Sequence, residues 1–475
     1  MGKSVARGTI LGITGQAWHL VTALVLYAFL ARRLGPADFG RWKLTLSVLT
    51  WFELFVNSGL VKVAVKRIAE SPEDRPTLTR GAYLGQSFLA AVLFAAALIG
   101  AGPIAATLGD PTLAFLLRVS ALDIPLYAAF MVAASVLLGV RRFERQALGM
   151  AVYSAAKLAS IGVLVYVGFS VPGALVGNAL SSLVGFAVTF WSWKGEPVGW
   201  RATTDTAAEM GRAAGPFLAQ NLVEGLGTGA DLWFVQGVLR NAVSVGLYGS
   251  ASALAEIPAF LFIGLNRALF PSVAAAARSD ARLAARFAQQ GVRLALLVAV
   301  LGAAAIAATA PQVLRLIYSA PYAGAAVPLS ILMLAAAGRT TRSVCTEVLM
   351  ATDRRRRALT ILVAGVALEL VLLAVLTHRF GTTGTAAAIA IAMGAAGSAA
   401  AISLRRALGL RVLLTLARSV LAAVAVGAVL FLLHLPPIGL VVAYPCAALA
   451  YVALLWLLRE FDADDIASVR TAIGR

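Results

Sequence analysis

Phe88-Leu89-Ala90-Ala91-Val92-Leu93-Phe94-Ala95-Ala96-Ala97-Leu98-Ile99 forms the middle of residues 82–106, a stretch without one charged side chain. A helix rises 1.5 Å per residue, so a stretch of this length crosses the roughly 30 Å hydrocarbon layer of a bilayer. Reading outward in both directions, the same pattern recurs along the chain. Before it lie apolar stretches at about 9–30 and 44–61, and after it at about 113–138, 148–168 and 173–193. Further stretches follow at about 213–238, 245–270, 292–314, 326–350, 358–377 and 383–404, then at about 411–433 and 438–458. The chain therefore reads as all-α and polytopic, with about 14 transmembrane helices. The connections between spans are too short to hold a folded soluble domain, which excludes a separate extramembrane catalytic module.

Composition agrees. Of 475 residues 60% are hydrophobic and 13% charged, whereas a soluble domain is about a quarter charged and under half apolar. Two cysteines, Cys345 and Cys446, exclude a disulfide scaffold, and no Cys/His cluster has metal-ligand spacing. The net charge of +18 invites a nucleic-acid reading, which its distribution answers. With the N-terminus inside, 27 Lys and Arg fall in inside segments and 7 in outside loops. Positive residues accumulate on the cytoplasmic side of membrane proteins, so both termini are expected in the cytoplasm and no nucleic-acid partner is expected. The first apolar run, after Lys3 and Arg7, is too long for a signal h-region and ends at Arg32-Arg33 without a small-residue cleavage site. It reads as an uncleaved span.

The spans repeat. Leu34-Gly35-Pro36-Ala37-Asp38-Phe39-Gly40-Arg41-Trp42 follows span 1, and Leu239-Arg240-Asn241-Ala242-Val243-Ser244-Val245-Gly246-Leu247-Tyr248 follows span 7. Gly59-Leu60 matches Gly264-Leu265 at an offset of 205; Arg145, Ala147, Leu148, Phe169 and Gly173 match Arg356, Ala358, Leu359, Phe380 and Gly384 at 211. Two six-helix lobes in tandem are expected, residues 1–195 and 196–410, with 411–475 supplying two extra helices and a cytoplasmic tail. An even span number per repeat gives both lobes one orientation, as in transporters that bind substrate between two halves.

Ala31-Arg32-Arg33-Leu34-Gly35-Pro36-Ala37-Asp38-Phe39-Gly40 resembles the first-loop signature of the polysaccharide (O-antigen type) flippases, within the multidrug/oligosaccharidyl-lipid/polysaccharide exporter superfamily. Asp231, Gly246-Leu247-Tyr248 and Leu269-Phe270-Pro271-Ser272 resemble its second-half counterpart. Tyr322-Ala323-Gly324-Ala325-Ala326-Val327-Pro328-Leu329 and the basic turn before Ala358 fit the same family. The resemblance implies two six-helix lobes around a cationic cavity that receives a polyprenyl-pyrophosphate-linked glycan. It places the chain in the bacterial plasma membrane, in the assembly of cell-surface polysaccharide such as lipopolysaccharide, with polysaccharide polymerase machinery as a partner. The two extra helices also suit the related lipid II flippases. The outside basic turn at Arg32, Arg33 and Arg41 is a feature of the family.

An intramembrane charge costs about 2.5–3.5 kcal/mol on insertion scales, so each must face a cavity, pair or snorkel. Lys157 in span 5 and Arg339 and Arg342 in span 10 are deep. The two arginines are i,i+3 neighbours whose planar donor forks suit a diphosphate; the competing reading is pairing with membrane carboxylates. Arg267, near the cytoplasmic end of span 8, is a fourth substrate-binding candidate. Seven carboxylates lie in spans: Glu53, Asp123, Glu224, Asp231, Glu256, Glu347 and Glu369. Of these Glu53, Glu224, Asp231, Glu256 and Glu369 are candidates for coupling transport to Na⁺ or H⁺, against a structural role for each. Glu224 and Asp231, seven apart, are expected on one face of span 7; Glu53 and Asn57 give span 2 a polar stripe.

No catalytic constellation and no cofactor motif emerges. The sequence points to a flippase that moves a lipid-linked oligosaccharide from the inner to the outer leaflet and changes no bond. A lipid II type flippase, a multidrug/cation antiporter of the same superfamily and a membrane polysaccharide polymerase or glycosyltransferase remain as alternatives.

Overall fold

The computed structural model describes residues 2–192, 204–225, 227, 229–258, 273, 276, 280–410, 412–433 and 435–460. Every regular element among them is a helix. Ten stretches are long and apolar enough to cross a membrane, and two shorter apolar helices join them. Two of the ten, Ala17–Glu70 and Arg355–Leu408, run 54 residues each, about 80 Å if straight. Both contain a reversal instead. In α1 (Gly2–Ser58) the chain turns at Gly35, whose φ of 72° and ψ of 172° are open to glycine, followed by Pro36, which lacks the helical N–H. Tyr27 and Trp42, fifteen residues apart, then meet edge to face at 5.5 Å. Each long stretch thus supplies two spans.

The chain divides into two compact units, Met1–Gly249 and Ser250–Arg475. The first continues from α1 through α2 (Leu60–Glu70), α3 (Arg75–Leu108), α4 (Thr112–Ala121) and α5 (Asp123–Gly139). It goes on with α6 (Phe143–Tyr166), α7 (Ser170–Trp191), α8 (Thr204–Gly225), α9 (Ala230–Leu239) and the start of α10 (Ala242–Ala255). Its core includes Leu49, Val56, Ala90, Ala97, Ile124 and Ala128, the inward faces of helices whose outer faces expose Phe88 and Ile99. Apolar surface turned outward on this scale suits lipid. Small residues let the helices close: Gly177 of α7 lies so near Ile161 of α6 that a Cβ would fall 2.7 Å from its backbone nitrogen.

The second unit contains α11 (Ala281–Ala308), α12 (Ala310–Ile317), a 3₁₀ turn (Ala320–Ala325), α13 (Ala326–Ala351), α14 (Arg355–Leu408), α15 (Val412–Leu432) and α16 (Leu440–Leu457). Gly381 (φ 58°, ψ −140°) reverses α14, so the hydroxyls of Thr377 and Thr385 meet at 3.0 Å. The two helices beyond the repeat dock on α11 through Leu297, Val300, Ala422, Val426, Leu430 and Tyr451.

The repeat is visible in local geometry. Arg141 and Asp353 both sit in the left-handed region, at φ 62° and 58°. The following amides close the same six-residue cap, Arg142 to the Leu137 carbonyl at 2.8 Å and Arg354 to that of Leu349 at 2.9 Å. Gly173 and Gly384 each back onto the phenylalanine four residues earlier, Phe169 and Phe380. Within the first unit, Gly40 and Gly246 form a reciprocal crossing. A Cβ on Gly40 would overlap the Ala242 carbonyl, and one on Gly246 the Pro36 carbonyl.

Candidate functional site

Four helices of the first unit each bring a pair of polar residues at i,i+4 spacing to one place. The second arm of α1 presents Glu53 and Asn57, α5 presents Asp123 and Tyr127, α6 presents Tyr153 and Lys157, and α7 presents Asn178 and Ser182. This spacing puts both members on one helix face. Asn178 Nδ2 donates to Asp123 Oδ2 at 2.6 Å, and Asn57 Nδ2 donates to the Tyr127 hydroxyl at 2.9 Å. The Glu53 carboxyl lies within hydrogen-bonding reach of Asp123. Asp123, Asn178 and Ser182 are 1%, 2% and 0% exposed. Lys157 is half-buried, its ammonium 5.7 Å from the centroid of the Tyr153 ring, which itself stacks on Phe130 at 4.9 Å. Among the described residues Lys157 makes no ion pair.

Lys157 also lines a cavity of about 60 Å³ together with His19, Thr22, Tyr27, Trp42 and Ser154. His19 Nδ1 is 3.0 Å from the Ser154 hydroxyl. Trp42 is fully buried and its indole N–H has no partner. A cavity lined by an ammonium suits an anionic oxygen. Lys157 therefore stands between an anion-favouring cavity and a carboxylate pair.

In the second unit Arg339 and Arg342 lie on α13 where it crosses the second arm of α14. Gly338 packs on the Met393–Gly394 backbone, and a Cβ on Gly397 would fall 2.7 Å from the Gly338 carbonyl. The hydroxyls of Thr340 and Thr341 fold back onto the Ala336 and Ala337 carbonyls, at 3.0 and 2.9 Å, leaving the guanidinium groups as the outward polar features of this segment. Both arginines are half-buried. Among the described residues Arg339 has neither a hydrogen bond nor an ion pair, whereas Arg342 does interact. Glu369 of α14 is 4% exposed and is likewise engaged.

The other candidates separate. Asp231 is hydrogen-bonded on both oxygens: Oδ1 accepts from the Leu232 amide and Oδ2 from the Tyr248 hydroxyl, both at 2.9 Å. Glu256 is exposed just past α10. Arg267 and the side chain of Glu224 lie outside the described residues. Span 7 breaks between α8 and α9 at Gly229, φ 78°, and the face expected to carry Glu224 with Asp231 involves a side chain outside the described residues. Asp123, counted among the span carboxylates but passed over for coupling, is the acid most deeply placed in the cluster. Its i,i+4 partnership with Tyr127 was the available signal. The basic turn after the first span is held by its neighbours: Arg41 pairs with Asp38 at 3.2 Å and Asp110 at 3.0 Å. Ser170 donates to Asp38 at 3.2 Å, and Arg33 stacks over Tyr166 at 4.9 Å.

These features define a multi-pass helical membrane protein of transporter architecture, with polar groups gathered inside its bundles. The chain belongs to the family described as "Polysaccharide biosynthesis protein", which it matches over residues 5–277. No curated protein matches it. Among solved structures it is similar to the lipid II flippase MurJ in an inward closed conformation. The TM-score is 0.79 at 14% identity, covering 96% of this chain and 99% of that one. It is also similar to an inward-facing multidrug resistance MATE family transporter of the MOP superfamily, with a TM-score of 0.67 at 15% identity over 85% of this chain and 94% of that one. A MOP superfamily transporter from Pyrococcus furiosus, described as having a binding pocket of reverse polarity, matches with a TM-score of 0.57 at 16% identity, over 86% and 96% of the two chains. At these identities the likeness is one of fold.

Proposed function

We propose that the protein flips a polyprenyl-pyrophosphate-linked oligosaccharide from the cytoplasmic to the outer leaflet of the bacterial plasma membrane. The lobes 1–195 and 196–410 alternate access, and both termini lie in the cytoplasm. Arg339 carries the reading: it is an intramembrane guanidinium with no partner among the described residues. Such a group is costly unless an anionic ligand or an aqueous cavity meets it. The first unit has its own cavity lined by the Lys157 ammonium, and diphosphate oxygens suit ammonium and guanidinium donors alike. No bond of the substrate is made or broken, a cation gradient of Na⁺ or H⁺ drives the cycle, and a polysaccharide polymerase takes the delivered glycan. The likeness to MurJ over nearly the whole chain, including the two helices beyond the repeat, supports a lipid II type headgroup as the second reading.

Purified protein in liposomes carrying a fluorescent polyprenyl-diphosphate glycan tests this through quencher access to the outer leaflet. The expected result is translocation by the native chain and its loss in the double variant Arg339→Gln/Arg342→Gln. Exchange of a cationic drug for protons, with no movement of diphosphate lipid, would reject the proposal.

A further inference from the structure

Five arginines crowd one end of the second unit. Arg355, Arg356 and Arg357 open α14, and Arg405 and Arg406 close it. The reversal at Gly381 brings the two ends together, and Arg354 Nη2 fastens them by donating to the Ala407 carbonyl at 3.1 Å. All five are exposed, and among the described residues none has a side-chain hydrogen bond or an ion pair. Asp353 is the single acid in the turn before them. Arg355 to Arg357 stand at the positive end of a helix, which repels them. The matching turn of the first unit satisfies itself: Arg145 donates to the Ser192 carbonyl, and Arg142 and Glu144 are both engaged. Marking one side of a membrane needs basic residues only on that side, not five guanidinium groups at one crossing without an acid among them.

The chain returns to this end where α16 stops. Arg459 takes the left-handed conformation, φ 52°, and the Glu460 amide donates back to the Leu455 carbonyl at 3.0 Å. A residue other than glycine holds such a backbone only where its surroundings fix it. Arg418 does so, donating to the Arg459 carbonyl and to Glu460 Oε2, both at 3.0 Å. Thr415 donates to Glu460 Oε1 at 2.7 Å. Thr415 lies in the first turn of α15, which follows the arginine-bearing end of α14. Val412 of that turn shares a buried core with Ala358 and Leu404, the chain neighbours of Arg357 and Arg405. Beyond the described residues the sequence continues Phe461-Asp462-Ala463-Asp464-Asp465, three acids within four positions. Five extended residues reach up to about 17 Å, more than the roughly 10 Å that separates packed helices.

We propose that Asp462, Asp464 and Asp465 dock on the arginines at the two ends of α14 in the same chain, as a strap that closes this patch to other anions. Each carboxylate can take a planar guanidinium fork on both oxygens. Glu460, clamped on α15, sets where the strap begins. The contact lies at the surface, so salt weakens it. Releasing it bares a cluster suited to anionic lipid headgroups. The inference stands apart from the flippase reading, since it involves no transported substrate.

The test follows a nitroxide on Ala463→Cys in the full chain, with Cys446→Ser removing the other exposed thiol; Cys345 is buried and stays unlabelled. In zwitterionic detergent without added lipid, the EPR spectrum should show an immobilised label. Arg355→Gln/Arg356→Gln/Arg357→Gln should abolish that component and leaves the Arg354 fastening in place. Salt at about 1 M, where the Debye length falls to about 3 Å, should do the same. Reversing both partners, Asp462→Arg/Asp464→Arg/Asp465→Arg with Arg355→Glu/Arg356→Glu/Arg357→Glu, should restore it, which damage to the fold would not do. Asp462→Asn/Asp464→Asn/Asp465→Asn should bind added phosphatidylglycerol several-fold more tightly than the native chain. A freely tumbling label in the native chain, or one unchanged by the arginine variant or unrestored by the reversal, overturns the proposal. So does immobilisation that needs phosphatidylglycerol, which would give the cluster to the lipid, or that is lost on dilution, which would give the strap to a second copy.

Discussion

The helices α5 to α7 of the first unit and α13 to α14 of the second share a frame and differ in chemistry. Both pairs of spans turn through the same left-handed cap, at Arg141 and Asp353, and both tuck a glycine, Gly173 and Gly384, against a phenylalanine. Yet at the offset of 211 Lys157 corresponds to Leu368, Asn178 to Ile389 and Ser182 to Met393. At the offset of 212 set by the caps, Arg339 and Arg342 correspond to Tyr127 and Phe130. The buried polar cluster has apolar residues at these matching positions, and the arginine pair has aromatic ones. Duplication has preserved the turns and close backbone contacts that any copy needs to pack, while buried polar groups diverged. At the compared positions the first copy carries ammonium, amide and hydroxyl groups where the second is apolar, and the second carries guanidinium groups where the first is aromatic.

The shared frame can be broken most severely at the reciprocal crossing. Gly246→Val would drive a branched side chain into the Pro36 carbonyl, where neither backbone can retreat far because Gly40 meets Ala242 in the same way. The expected cost is about 3 kcal/mol or more, at the upper end of overpacking, seen as a large fall in unfolding temperature in detergent. Gly211→Ala, with open space around it, should change little. If the two variants unfold alike, the crossing does not hold the frame.

The chemical half of the comparison sharpens by separating the two arginines. Arg342 is engaged and Arg339 is not, among the described residues. Arg342→Ala should therefore lower stability by roughly 1–3 kcal/mol, because it leaves a partner behind. Arg339→Ala should hold stability within about 0.5 kcal/mol and still reduce translocation. Equal stability losses would make both arginines structural and remove the support they give to an anionic substrate.

Most of the frame was legible because it rests on composition and local period. Apolar length marks spans, and a recurring offset marks the repeat. The reversals at Gly35 and Gly381 are also local, each a glycine in a backbone state that other residues resist. The site was harder to read. Glu53, Lys157, Arg339 and Arg342 stood out because a charge in a span is rare, but the partnership of Asp123 with Asn178 joins residues 55 apart and follows from helix packing. Gly177, one residue before Asn178, lets α7 approach α6 closely enough to deliver it. Each i,i+4 polar pair is unremarkable alone, and their convergence is a tertiary fact. The break of span 7 at Gly229 is likewise hard to read, because periodicity assumes a continuous helix and one left-handed glycine interrupts it.

The smallest effect lies at the turns after spans 1 and 7, where the copies again differ in how they hold the same bend. In the first, Arg41 is clasped by Asp38 and Asp110; in the second, Asn241 Oδ1 accepts from the Val243 and Ser244 amides, at 2.9 and 3.2 Å. Only the first should feel pH. Burial pushes the Asp110 carboxyl up, but hydrogen bonds from Thr112 and Arg41, with the Arg41 charge, outweigh it and hold the group below the usual carboxylate value. A carboxylate whose folded value is depressed contributes stability that is complete above its unfolded value and is lost as pH falls through the folded one. Asp110→Asn should cost about 1 kcal/mol at neutral pH, since the pair is partly exposed, and the gap from the native chain should close in acid. Asn241→Ala should cost a similar amount, about 1 kcal/mol as for other caps, at every pH where the protein folds. Unfolding temperatures of the two variants between neutral and acidic pH separate these cases. A gap for Asp110→Asn that persists unchanged in acid would show that shape, and not charge, sets the first turn.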